Sequence, residues 1–117
     1  MLKRSLSLFI ALSAPVFADP PRIDNVTAHR QGGLYTFDVT ISHTDTGWDD
    51  YVDGWRIVSL DGTILGERTL AHPHVNEQPF TRSLSGVKVP TGTEQVRIQA
   101  RDNVNGWYDS FVGVRLR

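Results

Sequence analysis

Leu34-Tyr35-Thr36-Phe37-Asp38-Val39-Thr40-Ile41 decides the fold class. Tyr35, Phe37, Val39 and Ile41 alternate with Leu34, Thr36, Asp38 and Thr40, and a period of two is the signature of a strand buried on one face. Val96, Ile98 and Ala100 repeat the pattern against Arg97, Gln99 and Arg101. Trp55–Leu60 and Ile64–Leu70 flank Asp61-Gly62-Thr63, and Asp-Gly between apolar runs marks a hairpin. Arg22–Arg30, Phe80–Val87 and Ser110–Leu116 complete seven expected strands, with no helical periodicity anywhere. The expected fold is all-β, an antiparallel β-sandwich whose core holds Phe37, Val39, Ile41, Trp55, Ile57, Val96 and Ile98.

Connection lengths then sort the loops. If the strands run alternately up and down, connections one, three and five are the tight turns at Gln31-Gly32-Gly33, Asp61-Gly62 and Pro90-Thr91-Gly92. Connections two, four and six are the longer loops 43–54, 71–79 and 103–109, which should meet at the opposite end. None of the three contains lysine or arginine, while together they carry three histidines and many carboxylates. Loops gathered on a rigid sandwich are where such domains place binding residues.

The first eighteen residues have the form of a signal peptide. Lys3 and Arg4 supply the positive start, Leu6 to Val16 the apolar run, and Val16-Phe17-Ala18 the cleavage signal. A mature chain of 99 residues from Asp19 is expected in the periplasm or outside the cell, with no membrane association after cleavage. That length suits one domain, residues 19–117. Without Lys3 and Arg4, ten basic residues face thirteen acidic ones, a formal charge of −3 with no basic run, so nucleic acid is not an expected partner. The chain has no cysteine, which rules out disulfides, a thiol nucleophile and a lipid-bearing cysteine. Met1 leaves with the leader, so soft sulfur ligation of Cu(I) is ruled out too.

Val96-Arg97-Ile98-Gln99-Ala100-Arg101-Asp102, with Gly106 after it, resembles the penultimate strand and turn of bacterial immunoglobulin-like, fibronectin type III-like and cadherin-like domains. Trp55 stands where such domains carry a core tryptophan on the third strand. The resemblance implies a seven-stranded antiparallel immunoglobulin-like β-sandwich. Segments 43–55 and 72–80 are also similar to those of small secreted proteins of proteobacteria, a likeness that implies no activity.

Within the loops, His72-Pro73-His74 is the sharpest motif. Proline keeps this segment extended, so both imidazoles face one way and can reach one cation. His43 and a carboxylate from Asp45, Asp49 or Glu77 would complete a site for Zn²⁺ or Cu²⁺. The acidic run 45–54 lacks the alternating oxygen ligands of an EF-hand, though a looser Ca²⁺ site would suit its aspartates. Trp48, Tyr51, Trp107 and Tyr108 offer a second use of the same loops, stacking on a protein or glycan partner. No Gly-x-Ser-x-Gly elbow or phosphate-cradling loop occurs, and a non-enzymatic protein is expected. The expected function is binding of a divalent transition metal, with an interaction module or a calcium-stabilised structural domain as the alternatives.

Overall fold

In the computed structural model, which describes residues 19–116, the chain folds into eight strands without a helix. They are β1 (Arg22–Gln31), β2 (Leu34–Ser42), β3 (Val52–Val58), β4 (Ile64–Thr69), β5 (Phe80–Val87), β6 (Gln95–Asp102), β7 (Gly106–Trp107) and β8 (Val112–Arg115). The expected signal peptide, residues 1–18, lies outside the described residues. All pairings are antiparallel. One sheet has the order β1-β2-β5, and the other runs β4-β3-β6, with β7 and β8 both on the free edge of β6.

The expected count of seven strands becomes eight because a short extra strand, β7, forms ahead of the last one. Asp102 turns the chain back at the end of β6: its fully buried carboxylate accepts hydrogen bonds from the backbone N–H groups of Val104 (2.9 Å) and Asn105 (2.6 Å). Gly106, at φ +75°, takes the left-handed conformation that this reversal needs. Trp107 then pairs with Arg101, the chain bows out over residues 108–111, and β8 rejoins β6 at Val112. A loop expected over 103–109 therefore contains a short strand.

The two sheets enclose one core. Phe37, Val39 and Ile41 of β2 face Trp55 and Ile57 of β3 and Val96 and Ile98 of β6, and all seven are fully buried. Phe80, Val87, Leu70 and Val114 close its margins. Alternation along β2 and β6 is what aims these side chains inward. The same alternation carries two unexpected groups to the core side. Arg82 of β5 stands opposite Val39, between the inward-facing Phe80 and Leu84, and Asp102 follows Val96, Ile98 and Ala100. Truncating Phe37 to alanine is expected to cost about 3–5 kcal/mol, read as a lower denaturant midpoint at unchanged slope. A cost below about 1 kcal/mol would contradict this packing.

Candidate functional site

The three long loops do meet at one end of the molecule, and Asp45 joins two of them. Its side chain has no exposed surface and accepts three hydrogen bonds: from His43 Nδ1 at 2.6 Å, the Val52 N–H at 3.1 Å and the His74 N–H at 2.8 Å. Gln78 adds a second tie, accepting from the His43 N–H at 2.9 Å and donating to the His74 carbonyl at 2.9 Å. The third loop is held by Asn103. Its side chain accepts from the Tyr51 N–H (2.9 Å) and donates to the Trp48 carbonyl (2.8 Å), while its own N–H bonds the Tyr51 carbonyl. One carboxylate and two amides thus knit 43–54, 71–79 and 103–109 into a unit.

The expected imidazoles lie near one another, but their hydrogen bonding differs from ring to ring. His74 is buried, stacked on Phe80 with ring centres 4.1 Å apart and planes 11° from parallel. Its Nε2 lies 2.9 Å from Arg82 Nη2. A guanidinium can only donate, so Nε2 is the acceptor and the lone pair a metal would need is taken. His43 donates from Nδ1 to Asp45, and its Nε2 is buried 3.6 Å from Asp50 Oδ1 without a hydrogen bond. His72 is near in space, its ring centre 4.7 Å from that of His74, yet it is exposed and its Nδ1 lies 3.1 Å from the Pro73 carbonyl. Pro73 thus brings the two rings together without giving them a common environment.

Two of the loop carboxylates are paired with arginines. Glu77 is exposed and accepts from Arg82 Nη1 at 3.0 Å, and this hydrogen bond holds its carboxyl below the usual range. Asp53 accepts from Arg101 Nε at 2.8 Å. Asp49 is exposed. Among the described residues, no group of three or more histidine, aspartate or glutamate side chains is arranged to hold a metal ion. The loops lack basic residues, but the flanking strands supply them.

The four aromatic candidates separate. Trp48 is 65% exposed at the tip of a tight turn, where Thr46 donates to the Asp50 carbonyl and Asp50 to that of Gly47. Gly47, at φ +145°, makes that turn accessible. Tyr51 meets the Trp48 ring edge-on at 5.6 Å. Trp107 is elsewhere, on the outer face of the five-stranded sheet, with the Arg56 guanidinium 3.9 Å and that of Arg101 5.4 Å from its ring centre. Tyr108 pairs with Ala100 through its N–H and borders an open cleft of about 560 Å³ between the start of β1 and the start of β8. Neither Trp48 nor Trp107 lids the core.

Three residues that organise this end were not candidates from the sequence: Gln78, Asn103 and Arg82. The first two belong to a residue type common in any loop. Arg82 left a signal, because the alternation Phe80-x-Arg82-x-Leu84 puts an arginine on the core face, where its charge requires a partner.

No family model matches the chain, and no solved structure matches it. A protein of Halomicrobium mukohataei named "Putative lipoprotein" is 40% identical to it over 84 residues, which make up 71% of this chain and 41% of that protein. The chain therefore spans about two fifths of the length of this relative.

Replacing Asp45 with alanine leaves two buried N–H groups and an imidazole without their acceptor and should cost about 3 kcal/mol or more. Asp45→Asn should lose less, because the amide oxygen still accepts. Denaturant unfolding of both variants checks the order, and an unchanged midpoint for Asp45→Ala would refute the role. The pH dependence follows from His74. Burial, then the charges of Arg82 and His72, hold its pKa below the ordinary 6.5. Below about pH 6.5 the unfolded chain protonates this ring while the folded one resists, so stability should fall as the pH drops from there. His74→Gln should flatten that slope between pH 7.5 and 5.5, and an identical slope in both proteins would contradict the assignment.

Proposed function

We propose that this protein is an exported, non-enzymatic interaction domain of immunoglobulin-like type, which grips a protein or glycan partner through Trp48 and Tyr51 at its loop end. The order β1-β2-β5 against β3-β6-β8 corresponds to the A-B-E and C-F-G arrangement of that fold, and Trp55 is buried on β3 as its core tryptophan would be. Export to the cell envelope is supported by the leader-like residues 1–18 and by the lipoprotein in the relative's name.

The observation that carries the binding reading is a large aromatic held out in water by a rigid support. Trp48 rests edge-on against Tyr51, its own carbonyl is clamped by Asn103, and its turn is closed by two backbone hydrogen bonds. An exposed ring that is already ordered loses little entropy when a partner covers it. The histidines and Asp45 of the same end serve as its frame, since Asp45 holds the His43 ring and two backbone N–H groups while Arg82 takes the Nε2 of His74. This is why a divalent-metal role through His43, His72 and His74, or a calcium role through the aspartates, is the weaker reading.

Trp48→Ala should lower affinity for the partner by roughly 30-fold, the effect of about 2 kcal/mol typical of a central aromatic anchor, with an unchanged unfolding midpoint. Retention of wild type and variant on a panel of immobilised envelope glycans and envelope proteins provides the measurement. Equal retention of both on every surface, or no retention of the wild type, would overturn the reading.

A further inference from the structure

Arginines scattered along the sequence assemble on the outer face of the five-stranded sheet. Across antiparallel strands, directly opposed residues share a face. Arg56 of β3 stands opposite Gln99 of β6, Gly54 opposite Arg101, and Val58 opposite Arg97, while Arg115 of β8 stands opposite Gln95. Arg56, Arg97, Arg101 and Arg115 therefore lie on one surface. The carboxylates beside them are Asp53, bound to Arg101, and Glu67, opposite Arg56 on β4. The face stays positive although the mature chain as a whole is acidic.

Two of these guanidiniums are held in place around one indole. Arg56 lies over Trp107 at 3.9 Å and fixes its Nε on the Gln99 Oε1 at 2.8 Å. Gln99 is itself oriented by the Tyr108 carbonyl, to which it donates at 2.9 Å. Arg101 lies 5.4 Å from the same ring, runs its stem over Gly54 and fixes its Nε on Asp53 at 2.8 Å. Among the described residues the Nη groups of both arginines have no protein acceptor. Two ordered forks with unused donors are suited to the paired oxygens of an anionic group. Arg97 extends the row, stacked 4.5 Å over Phe111 with its Nη2 on the Ser59 carbonyl at 3.1 Å, and Phe111 leaves apolar surface exposed beside the charges.

We propose that this face binds a linear acidic polysaccharide, with its carboxylate or sulfate groups on the Arg56 and Arg101 forks beside Trp107 and its sugar rings against Phe111. A sheet face offers no enclosure for a lone small anion, so a polymer with repeated contacts is the better occupant. Nucleic acid is disfavoured by charge density. Its closely spaced phosphates call for an extended basic field, whereas four arginines here are partly offset by two carboxylates on an acidic protein. The site lies on a different surface from the Trp48 turn and does not depend on the function proposed for it.

Affinity electrophoresis of the full chain in gels containing polygalacturonate, dextran sulfate or neutral dextran tests this. Retardation is expected with at least one of the acidic polymers, and which one it is separates carboxylate from sulfate recognition. Neutral dextran should have no effect, and added salt should weaken the retardation. Arg56→Gln/Arg101→Gln should weaken binding at least tenfold, while Arg22→Gln/Arg30→Gln, an equal loss of charge outside this face, should change it less than twofold. Arg56→Lys/Arg101→Lys retains stems and charge but not the forks, and severalfold weaker binding is expected even if the glutamine variant fails to fold. The proposal is overturned by absence of retardation in both acidic gels, by equal loss in the two glutamine variants, by full affinity in the lysine variant, or by tighter binding to oligothymidylate than to either polysaccharide.

Discussion

A single buried carboxylate organises the loop end of this protein. Asp45 has no contact with water, so its charge must be met by hydrogen-bond donors, which come from His43 and Val52 close by in sequence and from His74 in another loop. The requirement works in both directions. Val52 at the start of β3 and His74 in the fourth connection would each bury an unpaired N–H without it. With Asp45 in place, Gln78 and Asn103 have fixed neighbours to bridge, and the turn that lifts Trp48 into solvent has a firm base. Asp102 plays a similar part at the end of β6, where its carboxylate folds the chain back to place Trp107 on the sheet.

The two sheets present different outer faces to solvent, although both arise from the same strand alternation. On the three-stranded sheet, Asp38 is ringed by hydroxyls, accepting from Thr27 at 3.1 Å and from Ser83, with His29 Nε2 at 3.4 Å. The Ser83 hydrogen bond is the main cause that holds the Asp38 carboxyl below its usual range. Thr40 and Thr81 continue this polar surface, joined at 2.7 Å. The five-stranded sheet instead shows guanidiniums layered on aromatic rings. A self-satisfied hydroxyl face has few free donors to offer, whereas Arg56 and Arg101 on the other face keep their Nη groups available. The difference in hydrogen-bond commitment, more than net charge, distinguishes the two surfaces.

The all-β class and most of the core were legible in the sequence because alternation is a local property. Phe37, Val39, Ile41, Trp55, Ile57, Val96 and Ile98 are buried as their period of two requires, and the meeting of the long loops follows from the parity of the connections. The eighth strand was not legible, since it depends on how Asp102 and Gly106 return the chain to β6. Arg82 was half legible: its place on the core-facing register of β5 is visible in Phe80-x-Arg82-x-Leu84, but its contact with His74 is not.

Chemical state is where sequence and tertiary structure part. The sequence by itself determined which residue types reach the loop end and that no sulfur or loop-borne basic group accompanies them. Only the tertiary structure decided what those residues do, because a lone pair or a proton donor is free or taken according to its neighbours. Arg82, from a strand, takes the Nε2 of His74; Asp45 is consumed in hydrogen bonding; and register gathers four distant arginines onto one face. Each of these outcomes depends on how loops and strands meet in space, and a local pattern carries no record of such pairings.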